Sequence, residues 1–150
     1  MSKILNYDLV VVGGGPAGMA AALSAKDNGI PEENIIILER SDRLGGILEQ
    51  CIHSGFGATY FGEMMSGPEY AQRFIDLVKE TKIVVETDTM VLNITEDNSV
   101  ICSNKKDGLI EIKANAIILA MGCRERPRGA LDIAGSRPAG VMSAGAAQKY

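Results

Sequence analysis

Tryptophan is absent from this sequence, histidine occurs once (His53), and aromatic residues make up only 5% of it. A single histidine leaves no set from which a histidine-based metal site could be built. The three cysteines, Cys51, Cys102 and Cys123, lie far apart and form no CxxC pair. That excludes a zinc ribbon or a disulfide framework and fits a reducing compartment. Positive charge is not in excess: 15 Lys and Arg against 19 Asp and Glu give a net charge of -4. Nucleic-acid binding needs a cationic surface, so that class is disfavoured. No basic amphipathic stretch offers itself to an anionic membrane, and no apolar run is long enough to cross a bilayer. The most apolar early stretch, Leu9 to Leu23, is interrupted by Gly13, Gly14, Gly15, Pro16 and Gly18 and preceded by Asp8. It reads as strand, turn and helix rather than as a signal peptide. The expectation is a cytoplasmic protein without metal, nucleic acid or membrane insertion.

What remains is ordinary globular material, 46% hydrophobic over 150 residues, enough for one domain with a real core. Its punctuation is informative. Tyr7 to Val12 is a short β-rich run ending in glycines, as for a strand buried on both faces. Pro16 to Asn28 reads as an alanine-rich helix closed by Gly29. Asn34 to Glu39, dominated by Ile35, Ile36 and Ile37, is a second strand. The β-α-β unit over 7–39 requires a right-handed crossover and parallel strands.

Residues 41–67 are glycine-rich and irregular, and a loop this long in a compact domain usually serves function. A helix is predicted over 68–80, with Tyr70, Phe74, Leu77 and Val78 on one face. Ile83 to Val85 is a third strand candidate. Three short β-like runs between about 89 and 113, parted by polar turns, predict an antiparallel meander. An apolar strand over 115–122 follows, and Arg124 to Tyr150 reads as loop.

Gly13-Gly14-Gly15-Pro16-Ala17-Gly18 is a GxGxxG between a strand and a helix. Gly13 permits the tight turn, Gly15 lets the backbone approach a diphosphate, and Gly18 lets the helix pack on the sheet. The helix N-terminus turns free N–H groups toward the phosphates. Glu39, 21 residues beyond Gly18, closes the next strand. A carboxylate there accepts hydrogen bonds from both hydroxyls of an adenosine ribose and repels a 2′-phosphate. The pattern alone does not separate FAD from NAD.

Downstream features do. Arg43-Leu44-Gly45-Gly46 resembles the Arg-x-Gly-Gly turn of two-dinucleotide flavoproteins, and the meander resembles the crossover of their FAD domains. Asn115 to Gly122 resembles their second fingerprint, an apolar strand ending in Ala-Thr-Gly. The chain therefore resembles the FAD/NAD(P)-binding oxidoreductases related to the pyridine nucleotide-disulfide reductases, over nearly all of residues 7 to 145. The resemblance implies an α/β, Rossmann-like FAD-binding domain with a parallel central sheet and a three-stranded antiparallel β-meander. It also implies that Gly13, Gly15, Pro16, Ala17 and Gly18 face the FAD diphosphate, with Glu39 and Arg40 beside the adenosine. Gly45 and Gly46 would sit by the diphosphate or ribityl chain. Val91 would offer backbone to the adenine, and Ala120 and Gly122 would let the chain pass close to the cofactor.

Two departures narrow this. Met121 stands where the fingerprint has threonine. The reductases' Cys-x4-Cys is replaced by Leu48 and His53, with only Cys51 between, so no intramolecular disulfide can shuttle electrons. The segments Cys51 to Gly55 and Cys123 to Pro127 resemble a dithiol-free subgroup, found with glycerol-3-phosphate oxidation systems and with subunits of amine or imino-acid dehydrogenases.

No catalytic residue is assigned. Cys51 and His53 read as structural or flavin-lining, and Cys123 as a turn residue whose flanking Arg124 and Arg126 pair with nearby acids or a FAD phosphate. Tyr60 and Phe61 would either cover the flavin or pack under the loop. The resemblance further implies a second nucleotide domain and a returning Gly-Asp segment, neither of which occurs here. An incomplete domain is therefore expected: the FAD portion of an NAD(P)H-linked oxidoreductase, inactive alone, whose substrate is not legible. The alternatives are a non-catalytic FAD- or NAD-binding module, or a subunit completed by a partner chain.

Overall fold

A computed structural model describes residues 3–150. Its central sheet is built around β1 (Lys3–Val12), whose last four residues are buried. The helix α1 (Pro16–Asp27) leads back to β2 (Ile35–Leu38), which pairs in parallel with β1, Leu9 opposite Ile35 and Val12 opposite Leu38. Alternation along these two strands sorts the core. Leu9, Val11, Ile35 and Ile37 face one layer, with Met19 and Ala22 of α1. Val10, Val12, Ile36 and Leu38 face the other. Both faces are apolar because both are covered, as parallel strands require.

The first layer is completed by α2 (Gly67–Lys79), which contributes Phe74 and Val78. Ser66 caps it: its hydroxyl accepts from the Glu69 N–H while the Glu69 carboxylate accepts from the Ser66 N–H at 2.8 Å, a reciprocal capping box. The second layer comes from β6 (Met90–Ile94) and β7 (Ser99–Asn104), whose Val100 and Cys102 are fully buried with Ile110 and Ile112. β5 (Val84–Glu86) joins β2 in parallel at the other margin. With β8 (Gly108–Leu119) the sheet order is β5-β2-β1-β8-β7-β6.

Several boundaries differ from expectation. The last meander run and the fingerprint strand expected at 115–122 are one strand, β8, ending at Leu119. Its first half pairs antiparallel with β7 from Gly108 to Lys113. From Ile110 to Leu119 it runs parallel to β1, Lys3 opposite Ile110 and Val12 opposite Leu119. A β1 extended back to Lys3, four residues before the expected start, supplies the pairing surface that carries β8 through the polar residues Lys113 and Asn115. Residues 41–67 are not wholly irregular. A short 3-10 turn covers Gly46–Gln50, and β3 (Ser54–Phe56) with β4 (Met65–Ser66) forms a small antiparallel pair. The tail contains a short helix, α3 (Ala144–Lys149), capped by Ser143.

Candidate functional site

The turn from β1 into α1 lies where the ends of β1, β2 and β8 meet. Gly13 has a φ of +109°, and its N–H donates to the Leu38 carbonyl at 2.9 Å. A β-carbon there would sit 2.4 Å from the Ala120 carbonyl oxygen, so glycine is enforced by β8's exit as well as by the turn. Ala120 is held by its own N–H, which donates to the Val12 carbonyl at 2.8 Å. At Gly18 an added β-carbon would approach the Gly13 carbonyl oxygen to 1.9 Å, so the helix could not pack as closely with any side chain there. Gly14, at the variable position of the motif, is also constrained: a β-carbon would meet the Leu44 side chain at 2.2 Å. The bare pattern does not signal that requirement.

Gly15 is different. Its φ of -76° and ψ of -175° suit any residue, and a β-carbon would meet nothing closer than Gly46 Cα, 3.9 Å away. Neither backbone nor packing demands glycine at this position. Pro16 follows as the first helical residue and Ala17 is exposed. The first-turn N–H groups of a helix have no intrahelical partners and point out of its end.

Glu39 is buried, with 7% of its surface exposed. Its carboxylate accepts from the Gly14 N–H at 2.7 Å and from the Ser41 N–H at 2.8 Å. Arg40, its neighbour, is exposed and meets no carboxylate among the described residues. Gly45 (φ +115°) and Gly46 (φ +56°) form the facing turn, tied to the motif by the Gly45 N–H donating to the Gly14 carbonyl at 2.9 Å. Arg43 pairs with Asp42 and, at 3.7 Å, with Glu49, so it braces this turn rather than pointing a free charge into it.

Val91 belongs to β6, the outermost strand of the sheet order, opposite Cys102. The meander nevertheless returns to the site. The Thr89 N–H donates to the Glu39 carbonyl at 2.9 Å, and the Asp88 N–H to that of Ser41 at 2.8 Å. Gly122 (φ +71°) is exposed beyond β8, with nothing within 4 Å of an added β-carbon. The structure thus gathers Gly13, Gly15, Gly18, Glu39, Gly45, Gly46 and Ala120 around one crevice, with Gly14 and Ser41 as contributors that the motif alone does not single out.

The discounted residues stay apart from it. The Cys51 thiol donates to the Ile47 carbonyl at 3.3 Å, and His53 Nδ1 lies 3.2 Å from the Ser54 carbonyl. No hydrogen bond joins the two among the described residues. Cys102 is buried, and burial together with the Glu86 charge pushes its thiol pKa up, away from nucleophilic reactivity. Tyr60 and Phe61 pack on each other and on Phe74, with centroids 4.8 to 5.6 Å apart. Arg124 and Arg126 form no ion pair among the described residues, so of the two partners expected of them, nearby acids or a FAD phosphate, the acids are not found.

A family model described as pyridine nucleotide-disulphide oxidoreductase matches residues 7–148. The chain belongs to that family. An opine oxidase subunit of Agrobacterium tumefaciens (strain Ach5) is 32% identical over 149 residues, covering 95% of this chain and 28% of that protein. The hydrogen cyanide synthase protein HcnB of Pseudomonas protegens, also a subunit, is 29% identical, covering 81% of this chain and 26% of that one. Among solved structures, L-proline dehydrogenase from P. horikoshii shares the fold with a TM-score of 0.67, at 23% identity over 81% of this chain and 24% of its own. The chain thus spans about a quarter of these relatives' lengths. For this pyridine nucleotide-disulphide oxidoreductase family member, the family supports FAD and NAD(P)H as cofactors. Among the described residues no helix is long and apolar enough to cross a membrane, and no three metal-ligating side chains cluster.

Proposed function

We propose that this chain is the FAD-binding portion of an NAD(P)H-linked flavin oxidoreductase, with the crevice between the glycine turn and Gly45-Gly46 as its diphosphate site. The observation that carries the reading is Gly15. It is a glycine with ordinary dihedrals and no protein atom within 3.9 Å of an added β-carbon, at the open end of a 12-residue helix. A ligand filling that space accounts for the missing side chain where the protein does not.

In this reading the N–H groups of Gly15, Ala17 and Gly18 bind the diphosphate, with Pro16 presetting the first turn. Gly13, Gly45, Gly46, Ala120 and Gly122 keep backbone close to the cofactor. Glu39 has two roles. It spends two acceptor sites holding Gly14 and Ser41 in place, and a carboxylate's remaining lone pairs are free for ribose hydroxyls. Arg40 lies alongside the adenosine. Val91, two residues beyond a Thr89 bound to Glu39, offers backbone to the adenine. When bound, FAD supplies two-electron exchange with the nicotinamide as hydride. The chain's own residues bind, orient and exclude water. None is assigned as a proton donor.

The test is the flavin content of the full-length protein after desalting. Glu39→Ala and Gly15→Val should each lower it. Unchanged occupancy in both refutes the site, and protection against thermal unfolding by NAD but not FAD overturns the cofactor.

A second reading, a dinucleotide-binding polypeptide completed by a partner chain, has specific support. The opine oxidase relative and HcnB are both named as subunits, and the outer edge of β8 beyond Lys113 carries no strand among the described residues. Co-purification of a second polypeptide at fixed stoichiometry would favour it. A monomer that turns over NAD(P)H alone would exclude it.

A further inference from the structure

The tail folds over a cavity that the proposed dinucleotide site does not use. About 610 Å³ in volume, it is a half-open concavity lined by residues from Arg124 to Ala146 and by none of the glycine turn, Glu39 or Arg43 to Gly46. Arg124, Arg126, Arg128 and Arg137 line it, against a single acid, Glu125. Four guanidiniums and one carboxylate leave the lining at a formal charge of +3, within a chain of net charge -4.

These arginines are not equivalent. Arg128 is occupied structurally, its guanidinium donating to the carbonyls of Ala134, at 3.0 Å, and Gly135. Glu125 is occupied too, accepting from the Gly145 N–H at 2.9 Å. Contacts with Ser143, Gly145 and Ala144 hold its carboxyl below the usual range, so it stays anionic and fixed. Arg124, Arg126 and Arg137 have no carboxylate within ion-pair distance among the described residues. Three charged forks facing one cavity without counter-ions repel one another, and the arrangement becomes favourable when an anion sits among them. The rest of the wall is apolar, from Leu131, Ile133, Val141 and Met142, three of which are at least half exposed. Inorganic phosphate would satisfy the arginines and leave that wall in water.

We propose that the tail cavity binds a small organic anion, its carboxylate or phosphate head held by Arg124, Arg126 and Arg137 and its apolar body against Leu131, Ile133, Val141 and Met142. Such convergence of a few polar groups on an apolar concavity is the usual make-up of a small-molecule site. The cavity shares no lining residue with the crevice at Gly15.

The test is calorimetric titration of the full-length flavin-loaded protein with four probes: hexanoate, hexyl phosphate, inorganic phosphate and 1-hexanol. At least one of the two amphiphilic anions should bind at least tenfold more tightly than both inorganic phosphate and 1-hexanol. Its affinity should fall as salt is raised, and at least tenfold in Arg137→Gln, while flavin content stays at the parent level. Carboxylate or phosphate preference distinguishes the head group. The proposal is overturned if neither amphiphile binds, or if inorganic phosphate binds as tightly as they do. It is equally overturned by affinity indifferent to salt in the unmutated protein, a measurement that does not depend on the variant folding. Failure of this site leaves the flavin readings at Gly15 and Glu39 untouched.

Discussion

A β-carbon added to Gly18 would lie 1.9 Å from the Gly13 carbonyl oxygen, whereas one added to Gly15 would meet nothing nearer than 3.9 Å. The two glycines are therefore separable by experiment. Gly18→Ala should destabilise the flavin-free protein by ~1–3 kcal/mol, the usual cost of overpacking against atoms that cannot move away. Gly15→Ala should change the stability of the flavin-free protein by less than ~1 kcal/mol, the gain from a stiffer unfolded chain being offset by the poorer N-cap, yet lower flavin retention. Denaturant unfolding of both, with and without FAD, checks the pair. Equal destabilisation of the flavin-free forms would mean that Gly15 serves packing after all. At this scale the sequence was informative, because a turn motif states its glycines directly. The sequence left unread what depends on long-range approach. A β-carbon at Gly14 would have to push aside the Leu44 side chain that lies over it, and Glu39 clamps Gly14 and Ser41, a contact that only the folded crevice creates.

At the scale of elements, α2 shows how a local signal fixes a boundary. Ser66 and Glu69 close its first turn reciprocally, and the buried stripe Ala71, Phe74 and Val78 sets its face toward α1 and β2. Ser66→Ala should cost ~1 kcal/mol of stability, the common value for losing such a cap. The same pair gives a pH dependence. Hydrogen bonds from the Ser66 backbone and hydroxyl lower the Glu69 pKa in the folded state. The group therefore stabilises fully above its ordinary carboxyl pKa, and that contribution is lost as pH falls through the depressed folded value. Glu69→Gln should accordingly weaken the protein more at neutral pH than under acid conditions, as urea midpoints across the acid range would show. A constant difference at every pH would sink the assignment. β8 illustrates the opposite case. Lys113 and Asn115 look like the end of one strand and the start of another, because the pairing that carries the chain straight through is supplied by β1, more than a hundred residues earlier. The tail was illegible for a related reason. Arg124, Arg126, Arg128 and Arg137 have no helical or strand spacing, and only folding brings them to one cavity.

At the scale of the whole molecule, the sheet is covered on both faces but not along every edge. β8 has two neighbours from Ile110 to Lys113 and one thereafter. Ala114 still donates its N–H to the Asn98 carbonyl, at 3.1 Å; beyond it, no strand among the described residues pairs with the side of Ala116 to Leu119 away from β1. Ile117 and Ile118, next to the fully buried core of β1, remain partly exposed, and Leu119 is 58% exposed. An open, apolar stretch of main-chain donors and acceptors is a template for a further strand. The 150-residue chain, produced by itself, should therefore self-associate with rising concentration, and light scattering after size exclusion would measure it. Adding the remaining length of a full protein should suppress that association if the added chain covers the edge. Amide exchange locates the effect: Ala116 to Leu119 should exchange faster than the doubly flanked Ile110 to Ile112 in the isolated chain, and the difference should shrink in the longer protein. A monomer at all concentrations, with uniform protection along β8, would mean that the edge is already closed and that nothing outside these residues is needed to finish the sheet.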